Sequence, residues 1–539
     1  MSRTFNLADL FEIVVSVVPD RIALRCGERQ CTFGRLDERA TRLASALRAR
    51  GLRRGDHVGI QLHNSFEYLE TFFACCKIGA APVNVNYRYR AGELAQLFGS
   101  LDLKALVYGA EFEAEVGAAV AQVPGLQRLV RVGGDSAAPD GRAYEALLAC
   151  GAPTLEDPGR SDDDLCVLCT GGTTGTPKGV MWPHKAIFMA ALGGGGIYFG
   201  RPPIRTPDEL REFVPHGPAL TYFAAAPLMH GAAMWASLIS LLAGHAVVVN
   251  DRPGFDAGQI WDLVVRHGVN IVSVVGDAMA LPLIKALEDN PARWDLSRLV
   301  TFGNGGAVFS QHLQERLKAR LPRVNISNGM GSSESGLIGG SDRTGGRDGG
   351  FMQVAPRPDL AVIGDDHRIL TRPGDEGILS RSGYTPIGYY GDPLKTAQTF
   401  VRIDGRTWVL TGDRARIDAE GNYVILGRGS QCINTGGEKV FPEEVEEAAR
   451  RCDAVGDVLV VGVPDERWGQ KVVAVVEPAP GRAFDRAAFD RVCREHLAGY
   501  KVPRAVYLVE RIVRSPAGKA NYSWAKDYAE QQQKGAASA

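Results

Sequence analysis

Two periodicities alternate along the chain. His57–Leu62, Ala105–Tyr108, Ala246–Asn250 and Ile271–Val275 are short apolar runs rich in β-branched residues, the pattern of strands buried on both faces. Elsewhere apolar residues fall at helical spacing: Leu36, Ala40, Leu43, Ala44 and Leu47 share one face, and Gly51 follows as a cap. Alternation on this scale predicts layered α/β sheets. The character changes at residue 427, where Gly427-Arg428-Gly429-Ser430 leads into a segment of ~110 residues, the size of a small domain. Within it Pro442 opens a helix with Glu443 and Glu444 in its first turn and Arg450 and Arg451 near its end, signs that suit the helix dipole. Val458–Val463 and Val472–Val476 follow as strands. The expected division is a large unit over 1–426, a junction at 427–431, a small α+β unit over 432–530 and a disordered tail over 531–539. Gly339 to Gly350, rich in glycine and charge, is expected to be a mobile loop.

Composition narrows the partners. The 539 residues exceed the size at which one core stops growing. Lys plus Arg number 61 and Asp plus Glu 62, so no charge excess points to nucleic acid or an anionic membrane. Arg48, Arg50, Arg53 and Arg54 are expected as a solvated helix end. The stretch Phe223 to Gly244 has no Asp, Glu, Lys or Arg and could span a bilayer by length. Pro227, His230 and Gly231 interrupt it, so buried core lining a pocket is expected instead. Ten cysteines lack framework spacing. Cys166 and Cys169 lie in an apolar run where positions three apart face opposite ways, which points to reduced structural thiols and a cytoplasmic protein.

Four segments carry candidate chemistry. Thr170-Gly171-Gly172-Thr173-Thr174-Gly175-Thr176-Pro177-Lys178-Gly179 follows the apolar run Leu165–Cys169. Its glycines let backbone N–H groups approach an anion, its hydroxyls add donors and Lys178 adds charge. Pro177 stands where a Walker A loop needs glycine, so this is a different phosphate loop. In Gly329-Met330-Gly331-Ser332-Ser333-Glu334, the carboxylate amid hydroxyls and glycines can hold Mg²⁺ through oxygen. Asp413, at the end of the strand-like Trp408–Thr411, could accept both ribose hydroxyls, and Arg428 could donate to the same sugar. Lys519, after Pro516-Ala517-Gly518, sits on a loop and can project far. Each segment alone is also compatible with a plain turn or a solvated charge.

In this order, across nearly the whole chain, the segments resemble the adenylate-forming superfamily, which includes acyl-CoA synthetases, firefly luciferase and peptide-synthetase adenylation domains. The resemblance implies a large N-terminal ATP- and acyl-binding domain, a hinge at 427–431 and a small mobile C-terminal domain. It implies that Thr170, Gly171, Gly172, Thr173, Thr174, Gly175 and Lys178 hold the ATP phosphates. Gly305, Gly306, Ala307, Asn328, Gly329, Met330, Gly331, Ser332 and Ser333 would border the nucleotide, and Asp413 and Arg428 would take the ribose. Glu334, with Thr173, would coordinate Mg²⁺. His230 would sit beside the acyl carboxylate, Lys519 would be the catalytic lysine, and Gly436, Gly437 and Glu438 would form the loop that approaches coenzyme A. Met330 departs from the usual aromatic residue stacked on adenine, and Gln431, after Ser430, stands where the hinge usually has Asp or Lys.

At finer scale Gly276-Asp277-Ala278-Met279 and Ser515–Lys519 look like a bacterial subgroup that activates long-chain fatty acids or steroid side-chain acids. Met234 and Trp235, with Gly303 and Asn304 opposite, would line the acyl pocket. Ala224, Ala225, Ala226, Ala232 and Ala233 leave room for a bulky apolar acid, whose burial supplies about 25 cal/mol per Å². The same small residues are equally compatible with tight core. The expected reaction joins an acid to coenzyme A at the expense of ATP, through an acyl-adenylate. Partners are then small molecules, with no nucleic acid and no transmembrane segment, and a homodimer stays open. Alternatives are an aryl or medium-chain acid ligase, an adenylation unit serving a carrier domain, a luciferase-like oxidase, and a scaffold that binds nucleotide or acyl ligand without turnover.

Overall fold

The structure is a computed structural model describing residues 3–134, 143–171, 177–250, 252, 254–307, 309–341, 352–428, 431–435, 438–465, 468–497, 499–514 and 520–537. Among these, four sheets organise the chain. The first is seven-stranded, in the order Gly388–Tyr389, Pro177–Pro183, Leu165–Gly171, Ala81–Asn84, His57–Gln61, Leu103–Gly109, Arg128–Val132. The second is eight-stranded, in the order Gly336–Ser341, Asn325–Ser332, Thr301–Gly305, Ile271–Val274, Thr221–Ala224, Ala246–Val249, Ile22–Cys26, Arg29–Thr32. Both are parallel through their centres, and the runs that the apolar pattern marks as buried strands are central in them. A third, antiparallel sheet is built from residues 353–428.

Burial explains the layering. One core takes side chains from both parallel sheets, Val58, Ile60, Cys166 and Trp182 from the first and Leu24, Val247, Val249 and Tyr222 from the second. The helices Leu7–Val17, Phe66–Lys77 and Gly231–Leu242 contribute to that core. Every residue of Phe66–Lys77 is buried, polar ones included, as expected of a helix enclosed on all sides. Its charges are paired: Lys77 with Glu12 at 2.7 Å and Asp37 at 2.8 Å, and Glu70 with Arg39 at 2.6 Å. On strand Leu165–Gly171, Cys166 and Leu168 face this shared core, while Leu165, Val167 and Cys169 face the cluster on the sheet's other side. The two cysteines therefore point apart, and none of the ten cysteines forms a disulfide. Phe223–Gly244 resolves into strand Thr221–Ala224 and the 12-residue helix Gly231–Leu242. No helix among the described residues is long and apolar enough to cross a membrane.

The C-terminal sheet alternates between two covers. Val458, Val460, Val472 and Ala474 pack under helices Pro442–Ala449 and Arg486–His496. Leu459, Val461, Val473 and Val475 pack on the opposite face. That second face corrects the expected disordered tail, because helix Tyr522–Ala537 continues through most of it. Ala525 and Ala529, one turn apart and fully buried, press on the valines, and Gln533 Nε2 donates to the Pro464 carbonyl at 3.0 Å. The glycine-rich stretch expected as a loop begins instead as strand Gly336–Ser341, with 342–350 outside the described residues. Arg54 is also no freely solvated charge, since it pairs with buried Asp164 at 2.7 Å.

Phe73 is fully buried and stacks on Phe11 with ring centroids 4.0 Å apart. Phe73→Ala should cost about 3–5 kcal/mol, read as a lowered urea midpoint of the large unit. Phe255→Ala, at an exposed ring, should stay within about 0.5 kcal/mol of the parent.

Candidate active site

Open α/β sheets bind ligands at the carboxyl ends of their parallel strands. In the first sheet, strand Leu165–Gly171 runs into the phosphate loop and the chain returns antiparallel as Pro177–Pro183, so Thr170 is registered opposite Lys178. Gly172, Thr173, Thr174 and Gly175 lie outside the described residues, and only the backbone of Thr170 and Gly171 is described.

The second sheet brings Gly305 beside Gly329 and Asn304 beside Asn328. Asn304 accepts from the Gly276 N–H at 2.7 Å and donates to the Ala307 carbonyl at 3.0 Å and to Asn328 Oδ1 at 3.3 Å. One buried amide thus ties together the ends of three strands. Gly303 and Asn304 are not among the residues lining the cavity beside Met234 and Trp235, which is bounded by Tyr68, Phe72, Leu168 and Leu238. Asn304 is engaged in the hydrogen-bond network above, and a side chain at Gly303 would face Ser273. Ala232 instead approaches Gly305 and Gly306, within 3.9 Å of where their side chains would begin.

Glu334 sits in the turn of the hairpin formed by Asn325–Ser332 and Gly336–Ser341. The Ser332 hydroxyl accepts from the Ser335 N–H at 3.1 Å and so closes that turn. Met330 is half-buried against the cluster of Ile338, Val354 and Leu379. Three side chains beyond the hairpin fix it. Trp182 Nε1 donates to the Ser333 carbonyl at 2.7 Å, and the Tyr389 hydroxyl donates to Glu334 Oε1 at 3.0 Å. Arg381 Nη1 donates to the carbonyls of Ala190, Ser335 and Leu337 at 3.1, 2.8 and 2.8 Å. Burial lowers the Arg381 pKa to about 10, with Asp359 at 3.2 Å opposing the shift, so the guanidinium stays charged at neutral pH.

His230 caps helix Gly231–Leu242. Its loop is held by two asparagines. Asn64 accepts from the Leu228 N–H at 2.7 Å and donates to the Ala226 carbonyl at 2.9 Å. Asn84 donates to the Met229 carbonyl at 2.6 Å and accepts from the Cys169 N–H at 2.6 Å, joining the His230 loop to the root of the phosphate loop. Asp413 is registered directly opposite Arg428. It lies inside strand Arg406–Ile417 rather than at a strand end, one residue after Gly412, whose φ of +81° bends the chain there. Only the backbone of Arg428 and Glu438 is described, and Gly436, Gly437 and Lys519 lie outside the described residues.

The model of the AMP-binding enzyme family matches residues 11–390, and that of the AMP-binding enzyme C-terminal domain matches residues 444–519. The chain belongs to the AMP-binding enzyme family. It is an AMP-forming acid–thiol ligase, with ATP and coenzyme A as its co-substrates. The ligase is 41% identical, over 97% of its chain and 95% of the relative, to 3-oxocholest-4-en-26-oate–CoA ligase of Rhodococcus rhodochrous. It is 39% identical, over 98% of each chain, to a medium/long-chain-fatty-acid–CoA/3-oxocholest-4-en-26-oate–CoA ligase of Mycobacterium marinum. Among solved structures, ATP-bound MatB of Rhodopseudomonas palustris superposes with a TM-score of 0.80 at 25% identity, covering 98% of this chain and 99% of that one. The anthranilate CoA ligase AuaEII with anthranoyl-AMP shares the fold with a TM-score of 0.86 at 24% identity, over 99% of each chain.

Two groupings in the ligase test its capacity for a metal. Glu334 offers hard oxygen, and the hydroxyl-bearing Ser332 and Ser333 flank it, a donor chemistry that suits Mg²⁺. Buried Cys76, Cys166 and His184 also converge, with ligand atoms within 4.8 Å of one another. There His184 Nδ1 accepts from the Leu7 N–H at 3.2 Å, which puts the ring proton on Nε2, facing Cys76 Sγ at 3.9 Å. That trio offers no bare nitrogen and belongs to the core. The small domain meets the large one through charge. Arg450 approaches Asp277 at 3.6 Å, with its own-domain partners Glu446 at 3.5 Å and Asp457 at 3.8 Å. Burial alone would lower the Arg450 pKa, and these carboxylates raise it. Burial raises the Asp277 pKa, and Arg450 opposes the rise.

A methyl group at Gly331 would lie 2.2 Å from the Gly336 carbonyl oxygen, a clash of backbone with backbone. Gly331→Ala should therefore displace the Glu334 turn and lower kcat/KM for ATP about a hundred-fold, in a protein that still unfolds cooperatively. Gly92→Ala, which meets nothing within 4 Å, should leave both measurements at parent values.

Proposed function

We propose that the ligase activates a bulky apolar carboxylic acid, a long-chain fatty acid or a steroid side-chain acid, and transfers it to coenzyme A. The observation that carries this reading is the setting of His230. Ala232, two residues on, meets Gly305 and Gly306 on the nucleotide side. The helix then continues without a charge through Met234, Trp235 and Leu238 beside a small apolar cavity of about 30 Å³, which a bulky acid would have to widen. Such a wall favours an acid whose carboxylate stays at the nucleotide while its body is buried. The relatives' names, ligases of 3-oxocholest-4-en-26-oate and of medium- and long-chain fatty acids, support the same class.

In the first half-reaction the acid's carboxylate oxygen attacks the α-phosphorus of ATP in line and pyrophosphate departs. Catalysis there is positioning plus stabilisation of charge on phosphate oxygens. His230 would border the carboxylate, and Lys178 with the threonine-rich loop would hold the departing phosphates. Lys519 would neutralise charge between carboxylate and α-phosphate, and Asp413 with Arg428 would hold the ribose. Glu334 would hold Mg²⁺, which supplies charge neutralisation to the pyrophosphate. In the second half-reaction the thiol of coenzyme A attacks the acyl carbon and AMP leaves. The small domain, turning about residues 427–431, would withdraw Lys519 and bring Gly436, Gly437 and Glu438 toward the thiol. That turn has to part Arg450 from Asp277, because the two belong to different domains.

Two experiments test the reading. With ATP and Mg²⁺, a panel of fatty, steroidal and aromatic acids scored by AMP release with and without coenzyme A should favour the fatty or steroidal members; a mainly aromatic preference would overturn the pocket assignment. Lys519→Ala should lose adenylate formation by about a hundred-fold or more, yet keep thioester formation from presynthesised acyl-adenylate within a few-fold. An equal loss of both steps in a folded variant would remove Lys519 from its proposed role.

A further inference from the structure

Tyr389 joins the two sheets at the phosphate site. Its short strand, Gly388–Tyr389, pairs with Val180 and Met181 on the strand that begins at Pro177 and carries Lys178. Its hydroxyl crosses to the second sheet and donates to Glu334 Oε1 at 3.0 Å. Its ring lies under the Lys178 ammonium, with Nζ 5.7 Å from the ring centroid. The residue is 6% exposed and held from three sides. Its N–H donates to Thr396 Oγ1 at 3.0 Å, Phe400 meets it edge-on at 5.9 Å, and the strand pairing fixes its backbone.

We infer that Tyr389 is the positioning residue that couples the two charged arms of the phosphate site, holding the Glu334 carboxylate with its hydroxyl and the Lys178 ammonium with its ring. A hydrogen bond to one carboxylate oxygen fixes the plane of the group, so a cation meets it in one orientation without an ordering cost at binding. The ring face attracts the ammonium through its quadrupole, which keeps the flexible lysine near the loop instead of in solvent or on Glu334 itself. The two arms carry opposite charge and would otherwise neutralise each other. An aromatic ring with a hydroxyl at its tip separates them while holding both. The inference rests on the proposed role of Glu334 as the metal carboxylate.

The test uses the full chain with Mn²⁺ as a spectroscopic substitute for Mg²⁺ and α,β-methylene-ATP as the nucleotide. Bound Mn²⁺ is measured by electron paramagnetic resonance, and metal-free nucleotide affinity by calorimetry. Tyr389→Phe should weaken Mn²⁺ in the nucleotide complex about 3- to 10-fold, while metal-free nucleotide affinity stays within two-fold. Tyr389→Leu, which also removes the ring, should weaken the metal-free nucleotide as well, about 2- to 5-fold. Glu334→Gln is the reference. If it leaves Mn²⁺ affinity unchanged, the metal role of Glu334 fails and this inference fails with it. If Glu334→Gln loses the metal and Tyr389→Phe does not, the inference alone is overturned. Equal losses of metal and metal-free nucleotide in Tyr389→Phe would also overturn it, since packing and not the hydroxyl would then be the cause.

Discussion

The proposed active site sets a carboxylate at the edge of one sheet against a lysine on a strand of another, and it depends on the seam between them. Glu334 and Lys178 belong to different sheets, and 155 residues of chain separate them. What holds them is a set of polar contacts that cross the seam: the Trp182 indole on Ser333, the Tyr389 hydroxyl on Glu334, and the Arg381 guanidinium on three carbonyls. Burying a guanidinium is costly unless its donors are matched. Here three carbonyls take Nη1 and Asp359 meets Nη2 at 3.2 Å, while the buried Nε has no hydrogen-bond partner, so removing any of these partners would strand a further polar group in the interior.

The layered core makes those short contacts possible. Both parallel sheets press onto the same apolar cluster, and Trp182 meets Trp235 edge-on at 6.4 Å within it. Packing at crystal-like density transmits position with little give. The strand ends that reach the site therefore inherit their spacing from residues far inside. The asparagines refine that spacing at the rim: Asn84 couples Cys169, at the end of its strand, to the His230 loop, and Asn304 couples three strand ends beside Gly305 and Gly329.

Much of this was legible in the chain, because local patterns report local physics. The β-branched runs became central strands, the helix before Gly51 formed as Phe33–Ala49, and Pro442 opens its helix. The order of the motifs pointed to the family. What escaped depends on partners distant in sequence. Nothing near Arg381, Tyr389 or Asn64 marks them, and little marks Asn84, since each is defined by a contact with a segment tens to hundreds of residues away. A polar asparagine closing the apolar strand Ala81–Asn84 was the available signal for one of them. The tail reads as disordered for the same reason: Ala525 and Ala529 look bland until the valine face they cover is in view. The hydrogen bonds of Asn304 likewise depend on distant partners, the Gly276 N–H and Asn328 Oδ1.

The central claim is that these converging strand ends make an acyl-adenylate before any thiol is involved. Exchange of labelled pyrophosphate into ATP, measured without coenzyme A, tests it most directly. The account predicts exchange that requires a carboxylic acid, saturates with it and needs no thiol. Exchange that proceeds without an acid, or none with any fatty or steroidal acid until coenzyme A is added, would contradict it.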